Sequence, residues 1–313
     1  MKQRFVGGIA AVLLLLASCG ESTPPQASPE TPSSSSAFPL TIAATNGDVT
    51  LDHRPERIVS LSPTATEMLF AIDAGDQVVA VDDRSNYPPD APVTDLSGYE
   101  PNVEAIASYD PDLVVYSTEP GDLGASLDGL GLPALQQDAA ADLDSVYDQI
   151  DQLGIATGHT SEASALTETM RADIETIVDS IVPPDPPPTF YHELDDTYFS
   201  VTSSTFIGQL YALVGLENIA DEAKGAGGGY PQLSGEYIIQ ADPDLIFLAD
   251  TKCCGQSPAT VAKRPGWGRI DAVEHGSVIS LDDDIASRWG PRVVDYLRRI
   301  AAAIEGVPEM NAA

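Results

Sequence analysis

Apolar positions along this chain fall into short runs that alternate between two periods. "RIVSL" (57–61), "DQVVAVDD" (76–83), "LVVYS" (113–117) and "PALQQ" (133–137) are compact enough to be buried strands. Between them, "SPTATEMLFAID" (62–73), "NVEAIASYD" (102–110) and "LGASLDGL" (123–130) have helical spacing. Pro63 and a Thr64-x-x-Glu67 box mark the start of the first helix. Upstream, Asn46-Gly47 in "TIAATNGDVTL" (41–51) predicts a hairpin. Short strands alternating with helices predict a parallel sheet in an α/β domain.

The period then changes. Leu166, Met170, Ile174, Ile177 and Ile181 form one apolar stripe, predicting a single long helix over 160–182. The proline run 183–188 ends it, since proline cannot continue a helix interior. Beyond the prolines the α/β alternation resumes. "TFYHEL", "LIFLAD" and "GSVISLD" read as strands. "TFIGQLYALVG", "SGEYIIQAD" and the closing "GPRVVDYLRRIAAAIE" read as helices.

One phrase occurs twice. Glu104-x-Ile106 leads to Asp-Pro-Asp-Leu (110–113), and Glu236-x-Ile238 leads to Asp-Pro-Asp-Leu (242–245). The offset between Glu104 and Glu236 is 132 residues, as it is for every other identity in the phrase. Shared turn chemistry explains part of this; the common order of elements points to a duplicated lobe.

The N-terminus has Lys2 and Arg4, an apolar run from Phe5 to Ala17, and "LASC" ending at Cys19. The run is short for a membrane span and fits a secretory signal. "LASC" resembles a bacterial lipobox, which implies cleavage before Cys19 and a lipid anchor on that cysteine. Residues 20–37, rich in Ser, Pro and Thr, read as a flexible tether. With 15 Lys plus Arg against 48 Asp plus Glu, the net charge of −33 argues against nucleic acid and anionic lipid surfaces as partners.

Lipobox, tether, "RIVSLSPTATEMLFAI", "SNYPPDAP", "NVEAIASYDPDLVVYS", the long helix and "SGEYIIQADPDLIFLAD" together resemble the periplasmic-binding proteins of ABC importers for cobalamin and ferric siderophores. The resemblance covers roughly 40–303. It implies two Rossmann-like α/β lobes with mostly parallel sheets, joined by one long helix, with the ligand in the cleft between them. The expected division is signal 1–18, tether 19–37, first lobe 38–158, linker helix 159–184, second lobe 185–303 and tail 304–313. The resemblance further implies a monomeric, exported, lipid-anchored carrier rather than an enzyme, with no resident cofactor and a cobalt or iron chelate as cargo.

It also assigns roles. Glu104 and Glu236, at equivalent places in two lobes, would pair with arginines on the two membrane subunits of the importer, giving register as well as attraction. Tyr87, Tyr99 and Tyr230 match cleft-lining aromatics. Tyr116, Tyr198 and Trp289, in loops or at strand ends, are further ligand candidates, because ligands of open α/β sheets bind there. Asp284 and Arg288 match an acid and an arginine that border the ligand, and Arg288 could also hold a siderophore carboxylate or catecholate. Arg292 reads as structural. Cys253-Cys254, beside the cleft, are open to a strained vicinal disulfide or to two free thiols. Corrinoid, ferric siderophore and haem all remain open as ligands, with a lean toward a corrinoid or another neutral chelate.

Two other classes are weaker. A bare zinc or manganese carrier needs convergent ligands, but His53, His159, His192 and His275 are scattered. An exported hydrolase would need a nucleophile elbow, and "GQSPA" (255–259) lacks its closing glycine.

Overall fold

The computed structural model describes residues 38–182 and 184–306. The signal, Cys19 and the tether lie outside the described residues. A hairpin opens the described chain, β1 (Leu40–Ala44) with β2 (Gly47–Leu51). Its two-residue loop is Thr45-Asn46, one residue earlier than Asn46-Gly47, because Gly47 at φ +107° already pairs with Ala44.

The first lobe contains β3 (Ile58–Leu61), α1 (Pro63–Ala71), β4 (Val78–Val81), α2 (Val103–Ala107), β5 (Leu113–Tyr116), α3 (Leu123–Asp128), β6 (Ala134–Gln136) and α4 (Leu143–Thr157). Next comes α5 (Thr160–Ser180), the long helix, which stops at Ile181 ahead of the prolines. The second lobe contains β7 (Thr189–Glu193), α6 (Phe206–Leu213), β8 (Glu217–Asn218), α7 (Gly235–Ala241), β9 (Leu245–Leu248), α8 (Pro258–Val261), α9 (Asp271–Glu274), β10 (Val278–Ser280), α10 (Asp283–Ala286) and α11 (Val293–Ile304).

Both sheets have four parallel strands in equivalent order, β4-β3-β5-β6 and β8-β7-β9-β10. The repeated phrase therefore reflects a repeated lobe. Its Asp-Pro-Asp element has the same job twice. Asp110 and Asp242 both take left-handed backbone, at φ 50° and 51°. The second aspartate then ties the turn to the neighbouring strand. Asp112 accepts from the amides of Glu56 and Arg57 just before β3 (2.9 and 3.0 Å), and Asp244 accepts from the amide and hydroxyl of Thr189 at the head of β7 (2.7 and 2.8 Å).

Alternation along the strands divides the core. Leu113 and Val115 of β5, with Leu245 and Phe247 of β9, face a large cluster shared with α4, α5, α6 and α11. Val114 and Tyr116 face a separate first-lobe cluster beneath α2 and α3, while Ile246 and Leu248 face its second-lobe counterpart beneath α7. Both faces of each sheet are thus covered, which is why the strands read as continuous apolar runs. Helix α4 has no counterpart in the sequence reading. Its signals are the Asp142 cap on Ser145 and the buried Val146, Ile150 and Leu153.

Candidate functional site

The lobes meet through loops that follow the C-terminal ends of their strands. From the first lobe comes the Arg84–Pro88 segment after β4; from the second come the Thr251–Gln256 loop after β9 and the Asp282–Arg292 segment after β10. Asn86 Nδ2 donates to Asp284 Oδ2 across the lobes at 3.1 Å. Arg288 donates to Glu67 Oε1 (2.8 Å), Asn86 Oδ1 (3.0 Å), the Arg84 carbonyl (2.9 Å) and Asp284 Oδ1 (2.9 Å). Arg292 makes a two-pronged pair with Glu67, and its guanidinium lies 4.2 Å from the Tyr87 ring centroid. One buried glutamate on α1 therefore holds two arginines of the second lobe.

Glu67 corrects one expectation. Ser62 is the N-cap of α1 and accepts from the Ala65 amide (3.3 Å), so the Thr64-x-x-Glu67 box does not form. Glu67 lies past the first turn and faces the other lobe.

Asp283 positions the Thr251–Gln256 loop. Its carboxylate accepts from the amides of Thr251, Lys252 and Cys253, each at 2.9 Å, and from the Thr251 hydroxyl at 2.7 Å. Lys252 in turn reaches Asp282 and Asp284, each at 2.7 Å. Burial pushes the Asp284 carboxyl upward, yet Lys252, Asn86 and Arg288 outweigh it and hold it below the ordinary carboxylate range. Sequence reasoning singled out Asp284 and missed its neighbour, though three consecutive aspartates before a helix were the visible signal.

The aromatic candidates separate into three groups. Tyr87, Tyr99 and Tyr230 are exposed, by 42%, 72% and 52%. Tyr87 adjoins the inter-lobe contact. Tyr99 follows Gly98, where a Cβ would come within 2.7 Å of the Leu61 carbonyl, so the loop lies directly against the end of β3. Tyr198 is half-buried at φ 68° and stacks on Trp267 (5.6 Å), with Arg264 between 4.5 and 5.3 Å from the two rings.

Tyr116 and Trp289 are corrections. Tyr116 is 1% exposed, because strand alternation points it into the core beneath α3 rather than out of the strand tip. The indole N–H of Trp289 donates to Gln149 on α4 (2.9 Å), and its ring packs on the shared core. Arg288 is corrected as well. The four N–H groups on its two terminal nitrogens are occupied by four protein acceptors, so it joins the lobes and leaves no free fork for a ligand acid.

Cys253 and Cys254 are free thiols, not a vicinal disulfide. The Cys254 amide returns to the Asp250 carbonyl (3.2 Å), closing the turn that carries both thiols. The histidines lie apart. His53 is beside Asp112 (3.8 Å), His159 beside Glu162 (4.0 Å), and His275 hydrogen-bonds its own helix. His192 is fully buried, its Nδ1 2.9 Å from the Tyr211 hydroxyl, which also accepts from Tyr296 (2.8 Å). Among the described residues, no three His, Cys, Asp or Glu side chains are arranged to hold a metal ion.

Glu104 and Glu236 occupy matching positions, each the second residue of a short helix capped by Asn102 or Ser234. Ile106 and Ile238, two residues on, anchor the helices to the outer cores, leaving both carboxylates exposed. A separate groove of about 740 Å³ runs among α4, α5 and α6, lined by residues such as Tyr147, Arg171 and Phe206, none of them a sequence candidate.

Residues 58–285 match the family described as periplasmic binding protein. Over 97% of its length the chain is 31% identical to an ABC transporter substrate-binding lipoprotein of Bacillus subtilis, YvrC, covering 98% of that protein. It is 32% identical to a cobalamin-binding protein of Halobacterium salinarum, over 85% of this chain and 74% of the other. Among solved structures, it resembles the periplasmic vitamin B12 binding protein BtuF of Vibrio cholerae (TM-score 0.66, 25% identity, 81% of this chain and 98% of the other). It also resembles the periplasmic heme-binding protein RhuT of Roseiflexus (TM-score 0.68, 25% identity, 81% and 99%). On the matched span, the two equivalent parallel sheets and the long helix between them, this chain belongs to the periplasmic binding protein family.

Proposed function

We propose that this protein is an exported substrate-binding lipoprotein, anchored through Cys19, that captures a metal chelate between its lobes and delivers it to an ABC importer. The observation that carries this reading is Tyr87. It is an exposed aromatic in a first-lobe loop, held on Arg292 of the second lobe beside the Asn86–Asp284 contact. A large amphipathic ligand there would meet a flat apolar ring with a polar tip. Tyr99 and Tyr230 are the other proposed contacts, with Asp284 on the border of the site. Relatives named for cobalamin, vitamin B12 and heme favour a planar macrocyclic chelate, and the acidic balance of the chain disfavours a strongly anionic siderophore. Glu104 and Glu236 are the proposed contacts to the importer's membrane subunits, and the carrier acts as a monomer with no chemistry of its own.

A thermal-shift and calorimetric series with cobalamin, cobinamide, haem and ferric hydroxamates tests this. A corrinoid or haem that raises the melting temperature with one-site stoichiometry supports it, since a ligand bound only to the folded state stabilises that state. A shift with zinc or manganese alone would replace it with the bare-ion reading.

A further inference from the structure

The ends of β7 and β9 carry two carboxylates with no role in the site above. Glu193 and Asp250 are both 0% exposed. Arg264 answers Glu193 with both terminal nitrogens, Nη1 to Oε2 and Nη2 to Oε1, each at 2.6 Å, and Nη2 also donates to Gln256 Oε1 (2.7 Å). Asp250 receives nothing, for neither of its side-chain oxygens has a hydrogen-bond partner. The buried hydroxyl of Tyr191 lies in the same cluster, beside Glu193.

Two buried carboxylates against one guanidinium leave one negative charge unanswered. An unpaired buried carboxylate is too costly to persist, so it takes up a proton instead. The groups facing Asp250 leave no other way to neutralise it. Glu193 and Tyr191 lie on β7, Arg264 follows α8, and Cys253 sits on the loop. The only cation among them is committed to Glu193. Burial first, and then Glu193, push the Asp250 carboxyl up to about 8.

We propose that Glu193 and Asp250 share one proton in the folded protein, and that this proton fastens the Thr251–Gln256 loop to the end of β7. The Asp250 O–H donates to the Glu193 carboxylate. On ionisation the proton leaves to solvent, and Glu193, Asp250 and Arg264 are left with a net charge of −1. The loop is seeded at Asp250, whose carbonyl accepts from the amides of Cys254 and Gln256 (3.2 and 3.3 Å). The same loop carries Lys252, which holds Asp284, which accepts from Asn86 of the first lobe. A buried proton in the second lobe is thereby linked to the contact between lobes.

Infrared spectroscopy of the full chain with aspartate carboxyls labelled with 13C tests this. The expected result is a label-sensitive C=O stretch of a protonated carboxylic acid at neutral pH. It disappears as pH rises and is absent in Asp250→Asn. Stability follows the same group. A folded pKa above the unfolded 3.8 means its contribution is full below that value and is lost as pH rises toward about 8. Relative to Asp250→Asn, the wild type therefore declines across that window and levels above it. Absence of the band at neutral pH overturns the proposal. So does a band that survives Asp250→Asn, or one that vanishes instead in Asp82→Asn or Asp151→Asn, whose carboxyls burial also lifts. If Asp250→Asn does not fold, the labelled wild type with the Asp82 and Asp151 variants decides the matter.

Discussion

Glu67 and Arg292 form a two-pronged ion pair across 225 residues of chain, joining α1 of the first lobe to the segment that enters α11. Glu67 also binds Arg288, and the three side chains are 2%, 15% and 8% exposed. Such a group is strongly constrained, because removing the shared acid takes from Arg292 the carboxylate it grips with two prongs and leaves Arg288 with Asp284 as its acid. Glu67→Ala is expected to cost about 3–5 kcal/mol and to lower the melting temperature by about 10 °C. Differential scanning calorimetry checks it, and a loss under about 1 kcal/mol would mean the arginines are solvated in solution.

The tyrosines offer a contrast between fold and function. Tyr99→Ala and Tyr230→Ala remove exposed rings and should leave apo stability within about 0.5 kcal/mol while weakening chelate binding. Tyr116→Ala empties a core position and should cost roughly 3–5 kcal/mol. Chemical denaturation and ligand titration on the same three variants separate these outcomes. Unchanged affinity in both exposed variants would remove those residues from the site.

The lobes and the linker helix were legible because their signals are local. Strand runs, the stripe through Met170 and Ile174, and the repeated Asp-Pro-Asp turn each declare themselves within a few residues. Tyr116 was misplaced because a tyrosine at a strand end has the same composition whether it faces out or in; it is buried because both faces of the sheet are covered, Val115 by the shared core and Tyr116 by the cluster beneath α3. Glu67 was read as half of a local capping box, since nothing near it announces partners more than 200 residues away. The Glu193–Asp250–Arg264 group was invisible for the same reason. Its members lie on β7, after β9 and after α8, and parallel pairing of β7 with β9 assembles the two acids.

If Glu104 and Glu236 dock the importer, their effects should be specific to transport. Charge reversal of both to Arg is expected to reduce uptake at least about tenfold in a reconstituted or cellular assay, with chelate affinity and melting temperature unchanged. Because the two helices are equivalent, each single reversal should impair uptake to a similar degree. A strong effect from one and none from the other would argue against a two-fold partner surface.

His192 predicts an acid sensitivity with a defined sign. Burial holds its ring uncharged, with the pKa lowered from 6.5 to about 3. The unfolded chain therefore binds a proton between those values that the folded chain refuses, and stability falls as pH drops through that window. The expected slope from this one group is about 1.4 kcal/mol per pH unit, beginning below 6.5. His192→Asn keeps an acceptor for the Tyr211 hydroxyl and does not titrate, so its stability profile should be flatter than that of the wild type by about that amount. Denaturant titrations of both proteins at a series of mildly acidic pH values measure the difference. Parallel profiles would show that the ring is reached by water and protonated without unfolding.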